Sequence, residues 1–161
     1  MAYIFDTNTL IEAKNRYYAF DVCPAFWDWL VLERERGNVL SIEAVKGELE
    51  DPDAEAWGRA NPGFFDSNND TEVGQVSTWV NHPDRLFIQA AKEKFLAKAD
   101  PRVISYAIVN GHVVVTQEVS APGSKKEVKI PDVCNALNVP WKNSFQVLNE
   151  LNARFILEVQ P

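Results

Sequence analysis

The stretch Val113-Val114-Val115-Thr116 is the clearest strand in the chain and decides the fold. Its uninterrupted β-branched residues are typical of a strand that is buried on both faces of a parallel sheet. A helix that begins at Asp100-Pro101 and ends at Asn110-Gly111 is expected just before it. Strands that alternate with helices in this way predict a three-layer α/β/α fold with a central, mainly parallel sheet.

Short apolar runs predict further strands at Tyr3-Ile4-Phe5, at Val39-Leu40 and, last, at residues 155–157. Helices are predicted where apolar residues recur at helical spacing between capping and helix-breaking residues. Helices are expected at residues 24–37, 43–50, 71–79, 86–98 and 145–151. Two further helices are expected to begin at Asp53, as a possible cap, and at Pro131, and a loop is expected at residues 61–70.

The composition limits the class of protein. The chain has 161 residues, 46% of them hydrophobic, which favours one domain over residues 1–161. No apolar run is long enough for a membrane span, and Asp6 comes too early for a secretory signal, so we expect a cytoplasmic protein without a membrane partner. Cys23 and Cys134 predict reduced core thiols. A net charge of −7 argues against a broad basic face for nucleic acid.

Five acidic residues stand where a parallel α/β sheet places its ligands, outside the carboxyl ends of the strands. Asp6 and Glu118 follow strands, Glu48 lies on a helix after the second strand, and Asp100 and Asp132 adjoin prolines at helix starts. If these acids converge, their oxygens suit Mg²⁺ or Mn²⁺, because zinc prefers the imidazoles and thiolates that are scarce here. One or two such ions can drive phosphodiester hydrolysis.

Each acid also has a structural interpretation. Asp100 could be the N-cap of its helix, and Asp132 could complement a helix N-terminus. Glu48 could belong to a solvated acidic face, and Glu118 could be an ordinary loop residue. Asp6 has the least structural purpose, because it directly follows a short buried strand, and it is therefore the strongest functional candidate.

Four positions taken in order resemble the motifs of the PIN-domain ribonuclease family. Residues 3–11 match an apolar strand followed by Asp, any residue, Asn and an apolar pair. Residues 40–49 resemble the second motif, in which a strand-end Ser precedes a helix that bears the acid, here Glu48. Residues 100–107, followed by the strand ending at Thr116, resemble the third motif, and Glu118 stands where the family usually has Asp or Asn. The resemblance spans nearly the whole chain.

This resemblance implies a set of functional residues. The catalytic acids would be Asp6, Glu48, Asp100 and Glu118, and these four together with Asp132 would hold one or two Mg²⁺ or Mn²⁺ ions. Asn8 and Thr116 would organise the acids, Thr116 through a hydrogen bond to Asp6.

The resemblance also implies an activity and partners. Segments 16–18, 129–134 and 152–155 look like a branch of PIN-like proteins known mainly as predicted toxins of bacterial toxin–antitoxin pairs. The implied activity is a metal-dependent endoribonuclease that acts on RNA, is inhibited by a cognate antitoxin protein, and forms a homodimer.

Basic and aromatic residues could bind such a substrate in spite of the net charge, since the five acids account for much of it. Candidate contacts to RNA phosphates and unpaired bases are Tyr17, Tyr18, Lys98, Arg102, Lys125 and Lys126. The structural interpretation is solubilising charge for the basic residues. Trp141 could also stack on a base, although core packing is its simpler interpretation.

Two other functions compete with the ribonuclease. An aspartate-based phosphatase also begins with an apolar strand and Asp, but it needs a second Asp two residues later, where this chain has Asn8. A PIN-like module without catalysis, which binds RNA or a protein, would be favoured if the acids failed to converge.

Overall fold

The structure is a computed structural model that describes residues 1–68 and 72–159. Within these residues a five-stranded sheet has the order β3-β2-β1-β4-β5, and every neighbouring pair is parallel. The strands are β1 (Tyr3–Phe5), β2 (Val39–Ile42), β3 (Phe65–Asp66), β4 (Val113–Val115) and β5 (Trp141–Lys142). Helices pack around this sheet, and the predicted three-layer α/β/α fold is confirmed.

Helices connect the strands. They are α1 (Thr7–Glu12), continued by a π-helical turn (Ala13–Tyr17), α2 (Pro24–Glu35), α3 (Glu43–Gly47), α4 (Pro52–Ala60), α5 (Gly74–Asn81), α6 (Gln89–Leu96), α7 (Asp100–Asn110), α8 (Ile130–Ala136) and α9 (Ser144–Glu150). Short 3₁₀ turns lie at Pro62–Phe64 and Pro83–Arg85. Local chemistry sets several ends: the Asp51 carboxylate caps α4, and Gly111, with a φ of +67°, ends α7.

The three middle strands form the centre of the core. All residues of β1, β2 and β4 are buried, as expected for strands that are covered by helices on both faces. Burial of one such Val, Leu or Ile side chain contributes about 1.5–3 kcal/mol. The core continues into α2, where Phe26, Trp27 and Trp29 pack against one another and against neighbouring helices.

The strand order places a crevice between β1 and β4. From β1 the chain first builds β2 and β3 on one side, and later builds β4 and β5 on the other side. In open parallel sheets, ligands bind outside the carboxyl ends of the strands where the order reverses in this way. Asp6 follows β1 at this edge, and Thr116 follows β4.

Some predicted elements were wrong. Residues 61–70 were expected to form a loop, but residues 62–66 form a 3₁₀ turn and β3. No strand forms at residues 155–157: Phe155 packs on the rings of Tyr18, Phe26 and Trp29, and the sheet position next to β4 belongs to β5.

Several predicted boundaries also shift. The helix expected at 43–50 ends at Gly47, α4 is capped by Asp51 rather than Asp53, and the helix expected at 86–98 begins at Gln89. The helix expected at 71–79 begins at Gly74, and Thr71 lies outside the described residues.

The two cysteines differ in burial. Both cysteines are free thiols. Cys134 is buried, and burial raises the pKa of its thiol to about 12, as expected of an unreactive core cysteine. Cys23 is half-buried. In the described part of the chain, no helix combines the length and the apolar character that a membrane crossing requires.

Candidate active site

Asp6 lies at the carboxyl end of β1 and is the N-cap of α1. Its side chain is 1% exposed. The amide of Thr9 donates a hydrogen bond of 2.7 Å to Oδ1, and the hydroxyl of Thr116 donates one of 2.7 Å to Oδ2. Burial raises the pKa of Asp6 to about 6, against the effect of these hydrogen bonds and with a smaller contribution from Glu118. Both donors are neutral, so they do not cancel the charge of Asp6.

Thr116 is fully buried and joins two parts of the site. Its hydroxyl donates to Asp6, which is the hydrogen bond that the PIN resemblance implied. The same oxygen accepts a hydrogen bond of 3.2 Å from the amide of Glu118. Thr116 therefore fixes the Asp6 carboxylate and the start of the loop after β4 together.

Glu48 lies just after α3 and links two helix starts. Its Oε2 accepts a 2.6 Å hydrogen bond from the hydroxyl of Thr7, and its Oε1 accepts one of 2.7 Å from the amide of Ala99. Sequence reasoning missed Thr7 and named Asn8, which is exposed on the first turn of α1. The Asp-Thr pair at the end of β1 was the available signal for Thr7.

Asp100 is the first residue of α7, and Ala99 is the N-cap, so the expected capping role was wrong. In the described chain no donor is hydrogen-bonded to the Asp100 carboxylate, which lines a cleft. Burial raises the pKa of Asp100 to about 7, and repulsion from Asp6, Glu118 and Glu48 adds to it, while Lys98 lowers it. Asp6, Glu118 and Glu48 are thus close enough to Asp100 to disfavour its charged form.

Glu118 lies two residues beyond Thr116 and also lines the cleft. Its Oε2 accepts a 2.7 Å hydrogen bond from the amide of Ile130 at the start of α8. The longer side chain that stands in place of the Asp or Asn usual in PIN domains thus spans from the end of β4 to α8.

Asp132 lies away from these four acids. Its carboxylate accepts hydrogen bonds from the hydroxyl of Ser120 at 2.5 Å and from the amide of Ala121 at 3.0 Å. It lines a second cavity rather than the cleft, and it is not among the groups that shift the pKa of Asp100. The structure thus gives Asp132 other contacts than the four acids, and its role as a fifth metal ligand stays a prediction.

Lysines edge the cleft, which has a volume of about 110 Å³. Lys98 and Lys126, two of the expected phosphate contacts, line it together with Lys94 and Lys129. Lys129 forms a 2.9 Å ion pair with Glu127.

The other expected RNA contacts lie elsewhere. Lys125 lines the second cavity, and Arg102 is exposed on α7 and does not line the cleft. Tyr18 stacks on Phe26 in the core, with ring centroids 4.3 Å apart. Tyr17 packs its partly exposed ring edge-on against Phe145, and Trp141 is half-buried in β5. None of these aromatic residues lines the cleft.

The donor set suits a hard cation, although its side chains do not yet surround one position. Among the described residues, no three acidic, histidine or cysteine side chains are arranged to hold one metal ion. Glu48 and Glu118 accept hydrogen bonds from donors of the chain itself. The cluster nonetheless offers only oxygens, and its charges repel one another. Oxygen donors with excess negative charge fit Mg²⁺ or Mn²⁺.

A comparison with protein families finds one family whose model covers most of the chain. A family model described as a domain of unknown function (DUF4411) matches residues 3–155. The chain belongs to this family. All four acids of the cluster lie within the matched range. No curated protein and no solved structure matches the chain significantly.

Proposed function

We propose that this DUF4411 protein is a metal-dependent endoribonuclease of the PIN type. The observation that carries the proposal is the group of Asp6, Glu48, Asp100 and Glu118 around the carboxyl ends of β1 and β4, whose mutual repulsion helps to raise the pKa of Asp100 to about 7. Strongly shifted carboxylates in a cleft are characteristic of functional sites. The lysines that edge this cleft suit an anionic substrate.

Asp6, Asp100 and Glu118, with Glu48 beside them, would hold one or two Mg²⁺ or Mn²⁺ ions. A bound ion of this kind supplies a Lewis acid for the phosphodiester and lowers the pKa of bound water. Thr9 and Thr116 hold the Asp6 carboxylate in one orientation. Glu48 ties the start of α1 to the start of α7, and so fixes Asp6 relative to Asp100.

The chain itself contributes a proton acceptor and a phosphate-binding edge. Asp100 accepts no hydrogen bond from a donor of the described chain, so one of its carboxylate oxygens would be free to take a proton from the attacking water. Lys94, Lys98 and Lys126 bind the phosphates of the RNA on either side of the scissile bond. We further propose, on the PIN resemblance alone, that the protein acts in the cytoplasm, forms a homodimer and is inhibited by an antitoxin.

The proposal is tested by cleavage of single-stranded RNA by the wild-type protein and by Asp6→Asn. Cleavage by the wild type is expected with Mn²⁺ and not with a chelator. Asp6→Asn is expected to lower the rate at least about 100-fold, since it removes a charged ligand and with it several kcal/mol of transition-state stabilisation.

Glu33→Gln is the matched control, because Glu33 is the other fully buried acid among the described residues. Equal rates for wild type and Asp6→Asn would contradict the nuclease. Calorimetry that detects no Mn²⁺ binding to the folded protein would favour the PIN-like module without catalysis, and release of phosphate from a phosphomonoester would favour the phosphatase.

A further inference from the structure

A second cavity adjoins the acid cleft along the loop between β4 and α8. Glu118 and Lys126 line the cleft, whereas Ser120 and Lys125 from the same loop line the second cavity. We propose that this second cavity is a nucleobase subsite, which holds one unpaired base of a single-stranded RNA whose phosphates lie along the cleft. The proposal rests on the proposed ribonuclease function and names its substrate class.

The cavity offers surfaces on which a base can stack. It has a volume of about 420 Å³, in the range of pockets that hold small ligands. Trp79 and Phe87 line it, with ring centroids 6.0 Å apart, and the guanidinium carbon of Arg85 lies 4.8 Å from the centroid of Trp79. Aromatic rings and arginine guanidinium groups are the usual stacking partners of unpaired bases.

Hydrogen bonds tie the segment that carries Arg85 and Phe87 to the loop after β4. The ammonium group of Lys125 donates to the carbonyl of Arg85 at 2.9 Å, and the amide of Ile88 donates to the carbonyl of Lys125 at 2.9 Å. Between them Leu86 has a φ of +57°, a left-handed conformation that is unfavourable for a branched side chain. Leu86 is 69% exposed and is the C-cap of the 3₁₀ turn Pro83–Arg85, so its left-handed conformation belongs to the end of that turn.

The polar groups around the cavity can read the edge of a base. Nε of Arg85 is buried, and in the described chain it has no hydrogen-bond partner, so a small shift of the guanidinium group would present an unused donor to a ligand. The Asp132 carboxylate is an acceptor whose orientation Ser120 and Ala121 fix. Asn135 uses its carbonyl oxygen to accept from Trp141, so its amide nitrogen can donate. Donors beside an acceptor complement the hydrogen-bonding edge of a base.

This arrangement selects single-stranded RNA over a duplex. A base can enter the cavity only after it leaves its stack and its pair, which costs little in a single strand. Asp132, which the sequence suggested as a metal ligand, takes the role of a base contact in this proposal.

Binding to the Asp6→Asn protein tests the subsite without cleavage. The probes are a single-stranded RNA hexamer, an abasic ribose-phosphate hexamer of equal charge, and an RNA duplex, each followed by fluorescence anisotropy in the absence of added metal. We expect the RNA hexamer to bind about tenfold more tightly than the abasic hexamer and than the duplex.

Two added substitutions localise the effect. Trp79→Leu and Arg85→Gln are each expected to reduce binding of the RNA hexamer towards the level of the abasic hexamer, and to change abasic binding less than threefold. Arg85→Gln keeps the readout valid if Trp79→Leu disturbs α5. The control is Arg59→Gln, an exposed arginine on α4 that lines neither the cleft nor the second cavity, and it should leave both affinities unchanged.

The outcomes separate this proposal from the nuclease. Equal binding of RNA and abasic hexamers, or equal binding of duplex, overturns the subsite even if the wild type cleaves RNA. Binding that depends on the base, together with a wild type that cleaves nothing with Mn²⁺, supports the subsite and contradicts the hydrolysis. Unchanged RNA binding in both Trp79→Leu and Arg85→Gln also overturns it, and would leave the cavity to another ligand such as a protein partner.

Discussion

Two buried carboxylates at opposite ends of the parallel strands differ in how their charge is balanced. Glu33 lies near the amino end of β2 and is 3% exposed, and Asp6 lies at the carboxyl end of β1 and is 1% exposed. Arg36 donates to Glu33 at 2.7 Å and Asn38 donates at 2.6 Å, so a cation and an amide balance the buried charge. Asp6 has only neutral donors and three other acids nearby.

Under the proposed function, this difference separates a structural acid from a catalytic one. A buried ion is costly, and a nearby cation and hydrogen bonds offset the cost at Glu33. Near the carboxyl end of β1, burial raises the pKa of Asp100 to about 7, and repulsion from Asp6, Glu118 and Glu48 adds to this rise. A bound metal cation would stabilise this group of four acids, because it would offset their negative charge.

The largest expected effect is the loss of activity on removal of one charge from this group. Asp100→Asn should lower the rate of RNA cleavage with Mn²⁺ by about a thousandfold, because it removes both a proton acceptor and a charged ligand. Glu33→Gln should change the rate less than threefold. Single-turnover cleavage assays measure both, and similar losses in the two variants would remove the distinction between the two ends of the sheet.

The next effect is on the free energy of unfolding, and we expect it to have opposite signs for substitutions at Asp100 and at Glu33. The pKa of Asp100 is about 7 in the folded protein, against 3.8 as its ordinary value. Between these pH values the folded state holds a proton that the unfolded state has released, so the free energy of unfolding falls as the pH rises. Above pH 7 Asp100 is charged in the folded protein, and the free energy of unfolding has fallen by the full amount.

Asp100→Asn should therefore raise the free energy of unfolding at pH 8 by roughly 2–4 kcal/mol in a chelator, and change it little at pH 3.5. Glu33→Gln should lower it by about 1–3 kcal/mol at pH 8, since it weakens a buried hydrogen-bonded pair. Urea denaturation at the two pH values measures both changes. A destabilised Asp100→Asn protein at pH 8 would mean that burial and the neighbouring acids do not disfavour the charged form of Asp100 in solution.

The sequence was sufficient for the parts of the site that depend on the central strands. Because β1 and β4 are short and β-branched or apolar, their ends could be located, and adjacent parallel strands bring Asp6 and Thr116 together. The motif order was sufficient to select Glu48 among several acids on one segment. The hydrogen bond between Thr7 and Glu48 could not be predicted, because the two residues lie 41 positions apart in the sequence.

Features that depend on loop conformation could not be predicted. Lys125 and Lys126 are neighbours in the sequence, yet they line different cavities, because the loop turns between them. Asp132 follows Pro131 as expected at the start of α8, but hydrogen bonds from Ser120 and Ala121 hold it outside the acid cluster. Strands of two residues such as β5 leave no periodic signal, because they form only beside a strand that is already in place.

The smallest expected effect concerns the lysines, which are the cations that the chain itself supplies to the acid cleft. Lys94→Gln and Lys98→Gln should each raise KM for single-stranded RNA about threefold and reduce the salt dependence of binding by about 0.7 in the slope of log K against log salt. Arg59→Gln, which removes the same charge on α4, should leave that slope unchanged. Equal slopes for all three variants would show that net charge alone acts on the substrate, whereas a change confined to the cleft lysines places the phosphates beside Asp100.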